Sequence, residues 1–256
     1  MIINTTSNDI KNKAIISLKE KTPFNMLRMG DGEMIIANNV KDKLPQFSIN
    51  QIGRELKIDE LRKTQENMIN SVLYSNVLGL PTEEHIRKNK LWEILLTYYD
   101  KIKTNNPDLW VDKEYCTINS HLELLKNNHL FDILSESKKI VIVSPRDIVD
   151  KLYQKFPNLE HIEYYSVPGE QKYEINKNTE INIFSQVDLI IENLKSKDRG
   201  GELLLYGVGP FGKHLGYEFS KLNGVSLDLG SVFDLLVGKI TRGVGKGANS
   251  YTNSYL

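Results

Sequence analysis

The chain has 256 residues, enough to bury a sizeable core, so it forms either one large α/β domain or one domain carrying a helical insertion. Its 33 Lys+Arg balance 33 Asp+Glu, and a net charge of zero argues against a general nucleic-acid binder, which needs a basic excess. One cysteine, Cys116, excludes an internal disulfide framework; the N-terminus lacks the charged start and apolar core of a signal peptide, and no apolar run approaches the ~20 residues of a membrane span. The expectation is a cytoplasmic protein with no transmembrane segment and no nucleic-acid partner.

In chain order, Asn8–Lys21 shows apolar positions at helical spacing, and Pro23 separates that helix from a first strand at Phe24–Leu27. The strand runs into Arg28-Met29-Gly30-Asp31-Gly32-Glu33, after which apolar residues resume as a helix. Residues 44–53 (LPQFSINQIG) read as irregular. A helix is expected over about Arg54–Ser75, a short strand at Val77–Leu80, and further helix at Thr82 onward and Leu91–Tyr99. The stretch from about 54 to 107 is therefore mostly helical and is expected to be an insertion beside the sheet.

From Trp110 onward strands and helices alternate. Strands are expected at Tyr115–Ile118, Lys139–Val143, His161–Val167, Glu202–Tyr206 and Val225–Leu229. Helices are expected within residues 119–134, after Arg146, over Glu180–Leu194 and over Phe211–Leu222. This alternation predicts an α/β fold with a doubly wound, mostly parallel sheet. Ligands of such sheets bind beyond the carboxyl ends of the strands, where GDGE, SPR (144–146), VPG (167–169) and GVGP (207–210) all fall. A single catalytic domain is expected over residues 1–242, and a flexible tail rich in Gly, Ser and Asn over 243–256.

The chemistry concentrates at the strand ends. Asp31 and Glu33 lie two apart with one glycine between them, so in an extended or turn backbone both reach one point. Two hard oxygen donors there suit Mg²⁺ or Mn²⁺ shared with a phosphate, and Arg28 can grip the same phosphates. The simpler reading is a turn in which Gly30 and Gly32 supply positive φ, Asp31 caps the helix and Glu33 sits in its first turn. Gly207, Gly209 and Pro210 follow a strand and open a helix, where glycines let the backbone approach phosphate; Lys213 and His214 sit in the next turn. The spacing is not that of the dinucleotide fingerprint, and Pro210 removes a donor. Arg146 is a second phosphate-capable arginine. Asp228 and Asp234 flank Gly230 and Ser231: Asp228 can bond a sugar hydroxyl, act as base or cap the next helix, and Asp234 can act as base or support the metal from behind its ligands. His121 is a third candidate base. Cys116, in an apolar run, reads as a core thiol.

Taken together, R-x-G-D-G-E (Arg28–Glu33), G-x-G-P (Gly207–Pro210) and D-L-G-S-V-F-D (Asp228–Asp234) resemble the motifs of the GT-D type glycosyltransferases, first met as a bacterial domain of unknown function. Asn119-Ser120-His121 resembles the middle motif of that group. The likeness spans roughly residues 8–242. It implies a Rossmann-like fold, a nucleotide-sugar donor (a UDP-sugar in the characterised members), and DxE carboxylates, here Asp31 and Glu33, acting through Mn²⁺ or Mg²⁺. It further implies a glycan or glycoprotein acceptor in bacterial surface-polysaccharide or glycoprotein synthesis, with a partner glycosyltransferase or a homo-oligomer as compatible assemblies. Where the better-studied members continue with a histidine and further acids, this chain has Ser231, Val232 and Phe233, which leaves donor and acceptor open. The competing readings are a dinucleotide-binding or phosphoryl-transfer Rossmann-type enzyme and a non-catalytic partner module of another transferase.

Overall fold

The structure, a computed structural model, describes residues 1–170, 182–238 and Leu256. Among them, seven strands form one sheet: β1 (Phe24–Leu27), β2 (Val77–Leu80), β3 (Glu114–Thr117), β4 (Lys139–Ser144), β5 (His161–Ser166), β6 (Leu203–Tyr206) and β7 (Val225–Asp228). Their order is β3-β2-β1-β7-β6-β4-β5, and every registered pair is parallel. The central strands are short apolar runs because helices cover both faces. All positions of β1, β2, β6 and β7 are buried.

Side chains alternate across the sheet and feed two cores. Leu27, Leu78, Val141, Val143 and Leu204 join one face with helices α2 (Asp31–Ala37), α4 (Ile58–Leu73), α6 (Leu91–Asn105), α10 (Ile183–Leu194) and α11 (His214–Ser220). Met26, Val77, Ile140, Ile142, Leu203 and Leu205 join the other with α1 (Ser7–Glu20), α7 (Ser120–Lys126), α8 (His129–Glu136), α9 (Val149–Lys155) and α12 (Val232–Leu236). Helix α1 opens with a reciprocal cap: Asp9 N donates to the Thr6 hydroxyl at 3.2 Å and Thr6 N to the Asp9 carboxylate at 2.9 Å. The end of α4 is closed from outside the helix. The Lys113 ammonium donates to the carbonyls of Val72, Leu73 and Ser75 at 2.9, 2.6 and 2.6 Å.

Four expectations change. Residues 44–53 are not irregular: Leu44–Ile52 is a helix, α3, with Pro45 in its first turn and Gly53 closing it at φ 78°. The mostly helical stretch 54–107 is woven into the sheet, since its strand β2 lies between β3 and β1. The helix expected from Phe211 is preceded by a 3-10 turn, Gly209–Gly212, and α11 starts at His214. The helix expected from residue 180 starts at Ile183, where the Asn182 side chain accepts from Phe184 N at 3.0 Å; 180 and 181 lie outside the described residues. Of the tail 243–256 only Leu256 is described, partly buried against the second core.

His214 is buried at the start of α11, and burial, only partly offset by Asp188, pushes its imidazole down to about 4. An unfolded histidine titrates near 6.5, so between those values the unfolded chain binds the extra proton and stability falls with pH. From pH 7.5 to pH 5 this one group should remove about 2 kcal/mol. Urea midpoints at the two pH values, for wild type and His214→Gln, check it: the variant should lose that part of the slope.

Candidate functional site

A cavity of about 460 Å³ opens at the carboxyl ends of β1, β4, β6 and β7. The strand-end turns marked in the sequence meet there: Gly30–Glu33, Pro145–Arg146, Pro168–Gly169, Gly207–Pro210 and the segment Gly230–Asp234. Arg28, Gly30, Asp31, Gly32, Glu33, Arg146, Gly207, Gly209, Pro210 and Asp234 all line it. Asp228 and His121 do not.

The GDGE turn departs from its simplest reading. Asp31 is already the first residue of α2, and on a helix two positions along is a rotation of roughly 200°. The two carboxylates stand in different settings. Asp31 is exposed and, among the described residues, accepts only from Gly32 N, at 3.0 Å. Glu33 is buried: one oxygen accepts from Gly30 N at 2.9 Å and the other meets the Lys213 ammonium at 2.9 Å. The glycines are required by packing and not by positive φ. A Cβ on Gly30, whose φ is −81°, would lie 2.8 Å from the Glu33 carboxylate, and one on Gly32 would lie 2.8 Å from the Phe47 ring.

Beneath the cavity, Lys213 bridges two acids. Its ammonium is 2.5 Å from Asp228 and 2.9 Å from Glu33. Burial alone disfavours the ammonium, but Asp228 and Glu33 outweigh it and hold Lys213 above the usual lysine range. Asp228, only 1% exposed, also accepts from Arg28 N at 3.3 Å. Arg28 in turn donates through Nε to the Ile118 carbonyl at 3.2 Å. Asp228 is thus a buried anchor, not a group placed to touch a sugar or take a proton. Gly230, at φ +49°, brings its backbone near the Arg28 guanidinium.

On the cavity wall Arg146 Nε donates to Asp234 at 2.7 Å. Their side chains are 14% and 17% exposed, so the pair is reachable from the cavity. Gly209 adopts φ +61°, which presents the backbone of the 3-10 turn to the cavity. His214, next to Lys213, is buried away from the cavity lining. His121 is buried on α7 and is not brought to this site. Burial pushes the Cys116 thiol up to about 11, consistent with a core role. The described residues contain no cluster of three or more His, Cys, Asp or Glu arranged for a metal. As placed, Asp31 fits a cation that takes its other oxygens from phosphate and water, whereas Glu33 is committed to Lys213 and Gly30.

The family described as the GT-D fold-like domain matches residues 5–236. The chain belongs to this GT-D-like family. A solved structure, described as the highly conserved domain of unknown function 1792 with a distinct glycosyltransferase fold, superposes with a TM-score of 0.51 over 88% of this chain and 78% of that one. At 16% identity the likeness establishes the shared GT-D-like fold. No curated protein matches the chain.

Sequence reasoning missed Phe47, Gln51 and Ile52, which line the cavity from α3, and Glu170 beside Gly169. The signal for α3 was available in Pro45 near its start and Gly53 just past its end. The lysine anchor predicts a large effect on stability. Lys213→Met takes the shared ammonium from buried Glu33 and Asp228 and should cost about 3–5 kcal/mol in urea unfolding; adding Glu33→Gln should recover part of it.

Proposed function

We propose that this GT-D-like protein is a glycosyltransferase that takes its sugar from a nucleotide-diphospho sugar, with UDP-sugars favoured by the family resemblance. The observation that carries the reading is one cavity in which Asp31, the Arg146–Asp234 pair and the Gly207–Pro210 turn meet at the carboxyl end of the sheet. Transfer breaks the bond from the anomeric carbon to the diphosphate oxygen and forms one to an acceptor hydroxyl, which loses its proton. The departing diphosphate gains negative charge as its bond breaks, so cationic and N–H groups aimed at it lower the barrier. Arg146 and the Gly209 backbone are the groups for that task. On this reading Asp234 accepts the acceptor's proton, and the Arg146 contact orients its carboxylate.

Mn²⁺ or Mg²⁺ bound through Asp31 would supply Lewis-acid neutralisation of the leaving diphosphate. Glu33 supports that turn from behind by closing the Gly30 end of α2 and docking it on Lys213. The same resemblance points to a glycan or glycoprotein acceptor in bacterial surface-polymer synthesis and to an assembly with another transferase or a homo-oligomer; a cytoplasmic site of action is the reading of the sequence itself. Against a dinucleotide role stand the glycine spacing and Pro210, which takes one N–H from the turn.

Hydrolysis of a nucleotide-sugar panel, in Mn²⁺ or EDTA, tests this reading on wild type and Asp31→Asn. One donor should release nucleoside diphosphate slowly, and EDTA or the substitution should reduce release by about 100-fold or more. Asp31 is exposed, so the variant's melting temperature should stay near wild type. Release that survives both treatments overturns the metal role of Asp31.

A further inference from the structure

The cavity lining is chemically mixed. Asp31, Arg146 and Asp234 bring charge to it, while Phe47, Ile52, Ile183 and Phe211 bring apolar surface. The four apolar side chains pack on one and the same core, so they stand together over one face of the sheet. Phe47 is half-buried, and its ring presses on the GDGE turn so closely that a Cβ on Gly32 would meet it at 2.8 Å. The ring is therefore fixed while part of it remains on the cavity surface. Gln51 stands four residues further on, on the same helical face. Its amide also lines the cavity, with Oε1 3.7 Å from where a Cβ of Gly209 would stand, and it makes no hydrogen bond to any described residue. The helix that presents both, α3, has Ser48 as its one fully buried residue. Its inward face thus serves the cavity more than the core.

We infer that Phe47 and Gln51 form the subsite for the nucleobase of the donor, Phe47 as a stacking platform and Gln51 as the reader of the base's polar edge. This rests on the nucleotide-sugar reading above. A fixed aromatic face accepts any base through its π-surface, and a side-chain amide offers one acceptor and two donors to the edge of a base lying on it. The position suits the molecule: Gln51 stands beside the Gly209 turn, the group assigned above to the diphosphate, so a base on α3 lies next to that diphosphate. The apolar surface then holds the base, and the charged groups are left for phosphates and acceptor.

Calorimetric titration of UDP, CDP, GDP and ADP into wild type, Phe47→Leu, Phe47→Tyr and Gln51→Ala, all in Mg²⁺, tests this. Leucine keeps a side chain packed on Gly32 but removes the ring; tyrosine keeps the ring. Phe47→Leu should weaken the best-bound nucleotide by roughly 5- to 100-fold, the range carried by one base–aromatic stack, and Phe47→Tyr should restore it. Gln51→Ala should shrink the preference for that nucleotide over the next, which a purely structural role would not do. Affinity within twofold of wild type in Phe47→Leu, with an unchanged preference in Gln51→Ala, overturns the subsite and leaves the nucleotide-sugar reading standing. A wild type that binds none of the four overturns the reading beneath it, and the subsite with it.

Discussion

Three loops that follow neighbouring strands are joined by a single ammonium group. Glu33 comes from the helix after β1, Asp228 from the last position of β7, and Lys213 from the segment after β6. Each of these charges is expensive to bury alone, and each is tolerable only because the other two are in place. The arrangement works as a condition on the fold: GDGE cannot leave its position without taking Glu33 from Lys213, and Lys213 cannot leave without removing the ammonium shared by two buried acids. Arg28 adds its backbone N–H to Asp228 and its guanidinium to the neighbouring β3 loop, which extends the constraint to a fourth strand end. The glycines make this proximity possible. A Cβ on Gly207 would lie 2.9 Å from the Gly230 carbonyl and 2.8 Å from the Phe233 ring, so the ends of β6 and β7 meet only because that side chain is missing.

A floor held this way separates two kinds of acidic residue that look alike on paper. Asp228 and Glu33 are consumed in holding the loops, whereas Asp31 and Asp234 remain on the cavity surface. The distinction follows from helix geometry and burial, not from residue type. It sets Glu33 and Asp228 against Lys213 at the floor and leaves Asp31 and Asp234 on the wall.

Much of this architecture could be read from residues in order. Buried parallel strands are continuous apolar runs, so KIVIV and LLLY stand out, and the turns that follow them carry the glycines, arginines and acids that line the cavity. What could not be read depended on tertiary neighbours. Two acids spaced by one glycine point together in a turn and apart in a helix, and nothing local decides that the helix begins at Asp31. Asp228 looks like a functional acid until Lys213, fifteen positions earlier, is seen against it. Helix α3 was obscured because only Leu44, Phe47 and Ile52 carry its packing, too few to mark a period against Pro45. Gly32 looks like a turn glycine and is instead the seat of the Phe47 ring.

The same split in the DxE pair gives a physical reason for a divalent ion on the proposed reading. Arg146 is paired with Asp234 on the wall, and Lys213 with Glu33 and Asp228 on the floor. Asp31 is exposed at the cavity and makes no ion pair among the described residues, so its charge faces an incoming ligand. A diphosphate approaching it meets repulsion between like charges, of about 4 kcal/mol per pair of unit charges at 4 Å under the screening typical of a protein surface. Either the ligand avoids that corner or a cation stands between the two. A divalent ion with oxygen ligands from both sides turns the repulsion into attraction, and it needs only one protein carboxylate if phosphate and water complete its shell. On this argument the second acid of the motif is not a spare ligand. Its work is to hold the turn so that the first acid, and any ion on it, stays at a fixed place above the floor.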